Sequence, residues 1–230
     1  MSETALIVGT GSGLSASLAR LATKQGMKVA LAARRPEKLE GLARETKAQV
    51  YKCDASRRED VGALFGALQG DLGVPDLVVY NPSYRVRGSL IELDPVEVEK
   101  TLMVTCYGGF LVGQAAARLM LERGRGSIQF TGASASVKGY AGSAPFAMGK
   151  FGLRGLAQSM ARELAPKNIH VAHFVIDGGI RQVNDARAAQ RGPDGMLEPD
   201  AIAETYLHVH RQHRSAWTWE VELRPWVETF

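Results

Sequence analysis

The stretch that most constrains the fold of this 230-residue chain runs from Thr4 to Arg20, TALIVGTGSGLSASLAR. Ala5 to Val8 is an apolar run without alternation, typical of a short strand buried on both faces of a parallel sheet. Strand, glycine loop and amphipathic helix in this order predict a turn whose backbone N–H groups face a phosphate. The alternative is a glycine-rich turn that binds nothing. The predicted contact residues are Gly9, Thr10, Gly11, Ser12, Gly13 and Leu14.

Strand and helix patterns alternate along the rest of the chain, without repeats or a linker. The predicted strands are 5–8, 28–33, 49–52, 77–80, 127–131, 170–176 and 217–223. The predicted helices follow Gly13 and then cover 36–46, 57–68, 94 to about 122, 144–164 and 200–212. Such alternation predicts an α/β fold: one doubly wound, Rossmann-type domain over residues 1–230, with a seven-stranded, mostly parallel sheet and helices on both faces.

Composition narrows the class of protein. At 45% hydrophobic and 23% charged residues, the chain is typical of a globular protein. The net charge of +4 is modest and its positive residues are mixed with acids, which argues against a nucleic-acid partner. No apolar run approaches the ~20 residues of a membrane helix, and the N-terminus does not match a signal sequence. Two cysteines, Cys53 and Cys106, indicate no disulfide framework and favour the cytoplasm.

The end of the second predicted strand bears on the choice of cofactor. An acidic residue there would bind a ribose 2′-hydroxyl, whereas arginine accommodates a 2′-phosphate. The strand ends in Ala33, followed by Arg34 and Arg35, which favours NADP(H) over NAD(H). The other interpretation is two solvated surface arginines. Asp54, just after the third strand, is expected either to contact an adenine amino group or to cap the next helix.

Several motifs resemble those of the short-chain dehydrogenase/reductase family, and the likeness covers nearly the whole chain. Gly9-x3-Gly13-Leu14-Ser15 resembles the family's TGxxxGIG turn, and Ala32–Leu39 resembles its NADP-preferring second strand and helix. The segments 151–163 and 169–180 continue the match. The resemblance implies a nicotinamide cofactor and further residues that contact it: Asp54, Ala55, Asn81, Lys150, Gly178, Gly179 and Ile180.

The same resemblance implies an altered active site. The family uses a Ser–Tyr–Lys set with an assisting asparagine, and its tyrosine and lysine are spaced as Tyr-x3-Lys. Lys150 occupies the lysine position, but Phe146 stands at the tyrosine position and has no hydroxyl to donate a proton. Ala133 and Thr105 stand at the serine and asparagine positions. The scaffold is therefore expected to be kept and the usual proton relay to be absent.

Three explanations of this site remain open. In the first, the protein transfers hydride and takes its proton from Tyr140, from Ser134, Ser136 or Ser143, or from a water held by Lys150. Tyr140 is the preferred donor among these, although a role in the pocket wall is also open. In the second, the protein binds NADP(H) without turnover, as a sensor or an assembly subunit. In the third, Ser134 takes the serine role, which leaves Phe146 unexplained.

Two groups of residues have weaker interpretations. His208, His210 and His213 invite a metal site, but no acid or cysteine completes it, so a surface helix is favoured. His173 lies in a predicted buried strand and is interpreted as a hydrogen-bonded core or near-site histidine.

Residues 181–198 occupy the place of the family's substrate lid. Arg181, Arg187 and Arg191 are either contacts for an anionic substrate or solvated charges. By the same resemblance, the long helix from Asp94 and the final strand are expected to form subunit contacts in a homodimer or homotetramer. The tryptophans Trp217 and Trp219 in that strand are expected either at the interface or packed within one subunit.

Overall fold

Seven parallel strands form one twisted sheet in the computed structural model, which describes residues 2–228. The order across the sheet is β3-β2-β1-β4-β5-β6-β7, and every neighbouring pair is parallel. The doubly wound prediction is thereby confirmed, and the sheet is more uniformly parallel than expected. The strands are β1 (Thr4–Val8), β2 (Lys28–Ala33), β3 (Gln49–Lys52), β4 (Leu77–Tyr80), β5 (Gly126–Thr131), β6 (Ile169–Ile176) and β7 (Glu220–Leu223).

Helices cover both faces of the sheet, and each face has its own apolar core. One core includes the ring of Phe174 on β6, stacked 3.6 Å from that of Tyr206 between centroids. The other is built around the buried side chains of Tyr80 and Phe130. The helices are α1 (Leu14–Lys24), α2 (Glu40–Thr46), α3 (Arg58–Asp71), α4 (Pro95–Leu102), α5 (Gly108–Arg123), α6 (Ala144–Leu164), α7 (Ala186–Arg191) and α8 (Pro199–His210).

The long helix predicted from Asp94 is interrupted. Asp94 caps α4 as expected, because its carboxylate accepts a hydrogen bond from the Val96 N–H, at 2.9 Å. Between α4 and α5, however, Met103–Tyr107 forms a π-helical segment. The Tyr80 hydroxyl donates a 2.5 Å hydrogen bond to the Val104 carbonyl in this segment. A side chain from the sheet therefore contacts the widened turn, as is common for π-bulges near functional sites.

The last strand is shorter than predicted and begins at Glu220 rather than at residue 217. The Trp217 indole donates to the Gln212 carbonyl, and the Thr218 N–H donates to the Gln212 side chain. These bonds hold Trp217 and Thr218 against the end of α8, ahead of the strand. The Trp217 ring stacks on that of His170, 4.7 Å between centroids, so it packs within its own chain.

Candidate functional site

A groove of about 870 Å³ lies along the carboxyl ends of the strands, where the crossovers leave the sheet in opposite directions between β1 and β4. Its volume is typical of small-molecule sites, and this switch point is where open α/β sheets bind ligands. The predicted cofactor residues that line it are Gly9, Thr10, Gly11, Ser12, Arg34, Arg35, Asp54, Ala55 and Asn81. Those that do not line it are Gly13, Leu14, Lys150, Gly178, Gly179 and Ile180.

The glycine turn combines a tightly held start with an open end. Gly9 has φ +81°, and a β-carbon there would lie 2.6 Å from the backbone nitrogen of Pro82. A β-carbon at Gly11 or Gly13 would meet no protein atom within 4 Å. Gly13 is also the N-cap of α1 and supplies no side-chain cap to its first turn. The turn thus leaves room and amide donors for an anionic group, which fits the pyrophosphate of a dinucleotide.

Side chains fix the turn against the strand across the switch point. The Asn81 amide donates to the Ser15 hydroxyl at 2.7 Å, and that hydroxyl donates to the Gly9 carbonyl at 3.3 Å. The Thr10 hydroxyl donates to the Ile7 carbonyl at 2.9 Å. Leu14 is buried in the core, so only its backbone faces the turn. Ser15, considered in the sequence only as the replacement of a glycine, therefore links Asn81 to the turn.

Arg34 and Arg35 line the groove beyond the end of β2 and are exposed. Neither forms an ion pair within the part of the chain that the structure describes. Lys38 lines the same end. This end of the groove therefore presents cationic side chains to which an anionic group could bind.

Asp54 lines the groove but does not cap α3. Its carboxylate accepts hydrogen bonds from the backbone N–H and the hydroxyl of Ser56, at 3.1 and 2.6 Å. The N-cap of α3 is Arg57, which makes no side-chain capping bond. The capping interpretation of Asp54 is therefore wrong, because its carboxylate binds Ser56, two residues ahead, and not the first turn of α3. The adenine contact stays a prediction.

The buried lysine is the best-defined ionisable group near the predicted reaction centre. Lys150 is 2% exposed, and its Nζ donates a 2.7 Å hydrogen bond to the Thr131 carbonyl at the end of β5. Burial lowers the pKa of Lys150 to about 8. Phe146 stands one helical turn earlier on α6, with its ring centroid 5.8 Å from this Nζ. An aromatic ring therefore contacts the ammonium group at the place where the resemblance expects a hydroxyl.

The remaining positions compared with the family's catalytic set lie in the loop after β5 and in the π-helical segment. Ser134 begins a short 3-10 turn after β5 and is half-buried, whereas Tyr140 lies farther along that loop with 46% of its surface exposed. Thr105 is fully buried in the π-helical segment, and its hydroxyl oxygen accepts a hydrogen bond from the Tyr84 N–H, at 3.3 Å. A β-carbon at Gly149 would meet the Thr105 side chain at 3.0 Å, so this segment packs closely against α6.

A buried series of hydrogen-bonded polar side chains lies near this loop, and the sequence analysis did not connect its members. The Ser136 hydroxyl lies 3.3 Å from His173 Nε2, and His173 Nδ1 lies 3.0 Å from a Glu220 carboxylate oxygen. Arg154 on α6 binds the same carboxylate with two hydrogen bonds, at 2.6 and 2.8 Å. The Ser136 oxygen in turn accepts from the Ala133 N–H. His173 is thus a buried, hydrogen-bonded histidine, in agreement with its interpretation as a core or near-site residue, and the carboxylate beside Nδ1 assigns the proton of the neutral ring to that nitrogen.

The burial of His173 predicts that the free energy of unfolding falls at acidic pH. Burial lowers the pKa of His173 to about 4 from its usual 6.5, so the unfolded chain takes up this proton first as the pH falls. Stability from neutral His173 is complete above pH 6.5 and is lost towards pH 4, amounting to roughly 3 kcal/mol. Urea unfolding of the wild type at pH 7 and pH 4.5 is expected to show the loss. His173→Asn should lose about 2 kcal/mol less on acidification, and equal losses would contradict the assignment.

The segment after β6 is ordered by pairing and by ion pairs. Ile180 forms an isolated parallel bridge with Leu197, whose N–H donates to the Gly179 carbonyl at 2.9 Å. Gly178 has φ +154° and packs against Pro225. Of the three arginines that follow, Arg181 binds Glu198 at 2.5 Å, Arg187 binds Asp185 at 2.6 Å, and Arg191 binds Glu228. Each of them is already paired with a carboxylate, and neither interpretation from the sequence foresaw this pairing.

Among the helices of the described chain, none combines the length and hydropathy that a membrane crossing requires. Within residues 2–228, no cluster of three or more histidine, cysteine or acidic side chains is placed to hold a metal ion.

A parallel, doubly wound sheet with an open glycine turn and a helix N-terminus at its switch point defines a dinucleotide-binding class of α/β protein. The family model of the short chain dehydrogenases matches residues 3–187. The chain therefore belongs to the short-chain dehydrogenase family of oxidoreductases.

Known proteins agree with this assignment over nearly the whole chain. A short-chain dehydrogenase structure from Rhodopseudomonas palustris is 36% identical, with a TM-score of 0.85, covering 97% of this chain and 99% of that one. A metagenomic short-chain oxidoreductase in complex with NADP is 26% identical, with a TM-score of 0.84 and 98% coverage of both. Carbonyl reductase family member 4 of Danio rerio is 26% identical over 217 residues, 90% of each chain.

Proposed function

We propose that this protein is an NADP(H)-dependent oxidoreductase that acts on a small carbonyl, enone or imine substrate and takes its proton from a group other than residue 146. The observation that carries the proposal is the groove itself, with its open glycine turn and its two unpaired arginines. The metagenomic relative is a complex with NADP, which supports the same cofactor here. The cofactor, when bound, supplies or accepts the hydride.

Different residues are proposed to bind the pyrophosphate, the nicotinamide and the adenine of the cofactor. The turn from Gly9 to Gly13 holds the pyrophosphate, and Asn81 and Ser15 keep that turn in place. Gly178, Gly179 and Ile180 are proposed to hold the nicotinamide end through their backbone groups. Asp54 and Ala55 are proposed to contact the adenine. Residues in these roles would hold the cofactor near the carboxyl end of β5, where Lys150 lies, and the cofactor would supply or accept the hydride there.

The proton is proposed to arrive without a tyrosine on α6. Lys150 has a pKa of about 8, because it is buried, and a lysine with that pKa can donate a proton to a substrate oxygen near neutral pH, directly or through a bound water that passes a proton on. Tyr140 is exposed on the neighbouring loop, and Ser134 is half-buried at the start of the 3-10 turn. These three groups are the proposed proton donors, either directly or through water. Phe146 supplies an apolar wall beside them.

A substrate panel tests the proposal. Purified protein incubated with NADPH and a series of carbonyl, enone and imine compounds is expected to oxidise NADPH with at least one class, followed by absorbance at 340 nm. Lys150→Met is the matched control and is expected to abolish that oxidation. Tight NADPH binding without oxidation by any compound would instead favour a non-catalytic NADP(H)-binding protein.

The cofactor preference gives a separate prediction. Replacing Arg34 and Arg35 together by alanine is expected to weaken NADPH binding at least tenfold and NADH binding less than threefold. The physical reason is that each lost charge-assisted hydrogen bond to a phosphate contributes about 1.5–3 kcal/mol, and NADH has no 2′-phosphate. Calorimetric titration with both cofactors measures the difference. Arg211→Ala removes an exposed arginine elsewhere and is the charge control, whereas equal weakening of the two cofactors would contradict the contact.

We also infer that the protein assembles as a homodimer or homotetramer in a reducing compartment such as the cytoplasm. Cys53 and Cys106 are both free thiols, which suits that compartment. The long helical region exposes Tyr107 and Phe110, and α6 exposes Met148 and Phe151. The Tyr107 and Phe110 rings lie 6.1 Å apart between centroids. Such exposed aromatic groups are typical of protein interfaces.

The assembly is tested by charge insertion. Replacing both Phe110 and Phe151 by glutamate is expected to convert the oligomer into a 24.8 kDa monomer, because buried carboxylates would face each other across the interface. Light scattering coupled to size exclusion measures the mass. Ile91→Glu alters an exposed residue of the loop before α4 and is expected to leave the mass unchanged. An unchanged mass in the double variant would contradict this interface.

A further inference from the structure

An arginine covers the ring that stands at the family's tyrosine position. Arg85 lies in the loop between β4 and α4, and its guanidinium carbon is 4.8 Å from the Phe146 ring centroid. Because the Lys150 Nζ is 5.8 Å from the same centroid, two cations contact one aromatic ring at the predicted reaction centre. Arg85 is therefore placed beside the space in which a substrate must meet the cofactor.

The loop that carries Arg85 is held on both sides of it. The Tyr84 N–H donates to the Thr105 hydroxyl in the π-helical segment, at 3.3 Å. The Gly88 N–H donates to the Gly142 carbonyl in the loop after β5, at 3.1 Å. These bonds tie the loop to the two elements that carry the other altered catalytic positions. The arginine is thus presented by an anchored segment rather than by a free one.

The charge of this loop is not compensated by the protein. Neither Arg85 nor Arg87 forms an ion pair with any carboxylate of residues 2–228, in contrast to the three paired arginines of the segment after β6. The carboxylate of Glu97 on the adjacent helix is engaged by the Tyr84 hydroxyl and by Lys100. Burial and the neighbouring charge of Arg87 lower the pKa of Arg85. The two arginines therefore repel each other, and a bound anion would relieve the repulsion.

We propose that Arg85, assisted by Arg87, forms an anion subsite that binds a carboxylate group of the substrate beside Phe146. This proposal rests on the oxidoreductase function above and narrows its substrate class to carbonyl compounds that carry a carboxylate near the reacting carbon. A guanidinium binds a carboxylate with two parallel hydrogen bonds, which fixes the orientation of a small substrate without a tyrosine hydroxyl. Arg85 is accordingly a specificity-determining residue.

The first test reads binding and needs no turnover. Phenylglyoxal modifies accessible arginines, and mass spectrometry of the Arg85 peptide follows its modification in the NADPH-loaded protein. Malonate is expected to slow modification of this peptide at least fivefold. Malonamide at the same concentration, and sodium chloride at the same ionic strength, are each expected to leave the rate unchanged. The peptide containing Arg211, an exposed arginine far from the loop, is the internal control. Equal protection by malonate and by sodium chloride would overturn the subsite.

The second test reads specificity with matched substrates. In Arg85→Gln, kcat/KM for 2-keto acids is expected to fall at least tenfold. For the corresponding 2-keto amides, kcat/KM is expected to change less than threefold. The affinity for NADPH is expected to stay constant. Arg211→Gln carries the same charge change and is expected to match the wild type. Equal loss for acids and amides would overturn the proposal. If neither class oxidises NADPH, the proposed function fails, and the phenylglyoxal result alone decides the anion subsite.

Discussion

Gly13→Ala is expected to lower NADPH affinity at least a hundredfold while changing the free energy of unfolding by less than about 1 kcal/mol. A β-carbon at this position meets no protein atom within 4 Å, so the protein alone tolerates it. Under the proposed function, the same space is where the pyrophosphate approaches the amides at the start of α1. Two lost charge-assisted hydrogen bonds of about 1.5 kcal/mol each correspond to a factor of about a hundred.

Gly9→Ala is the matched comparison, because its β-carbon would contact Pro82 within the protein and would not enter the space proposed for the pyrophosphate. Its β-carbon would lie 2.6 Å from the Pro82 backbone nitrogen, and alanine disfavours φ +81°. We expect a loss of about 3 kcal/mol or more in the free energy of unfolding. Calorimetric titration and urea unfolding of both variants separate the two effects. If Gly13→Ala binds NADPH like the wild type, the turn does not hold the pyrophosphate.

The sequence predicted the frame of the fold because its strands are buried on both faces. Runs such as Ala5–Val8 and 170–176 have no polar–apolar alternation, and helices with apolar faces separate them. The succession of strands and helices along the chain and the α/β fold class therefore followed directly. The start of β7 did not follow, because Trp217 alternates like a strand residue but is held by the Gln212 carbonyl. The π-helical segment was equally hidden, since its partner Tyr80 comes from a distant strand.

The candidate site also contains features that the sequence predicts and features that it does not. The positions of the glycine turn and Arg34 in the groove were predictable, since they depend on backbone geometry and on the place of a residue at a strand end. The chain from Ser136 through His173 to Glu220 was not, because it joins three segments that are far apart in sequence. Arg85 carries no local pattern at all, and only its approach to Phe146 distinguishes it from other surface arginines. Long-range contacts between isolated polar residues leave little signal in a single sequence.

Phe146→Tyr is expected to introduce or raise NADPH-dependent carbonyl reduction by a factor of about 10²–10⁴, the usual contribution of a positioned general acid. Phe146 is 9% exposed and lies on α6 one turn before Lys150, whose ammonium group would lower the pKa of a hydroxyl placed there. The substitution adds one oxygen to a ring of the same shape, so we expect α6 to keep its packing. Initial rates with a panel of neutral ketones and aldehydes measure the gain.

The control variants assign that gain to proton transfer rather than to a wider pocket. Phe146→Leu enlarges the space without adding a donor and is expected to show no gain. Adding Lys150→Met to Phe146→Tyr is expected to remove it, since the tyrosine then loses the neighbouring cation. Ala133→Ser in the same background should raise the rate further, because a second hydroxyl would orient the substrate oxygen. If Phe146→Tyr binds NADPH normally and reduces none of these compounds, the site does not place a carbonyl next to residue 146. The covering guanidinium of Arg85 would then be the first group to replace, because it lies 4.8 Å from the centre of that ring.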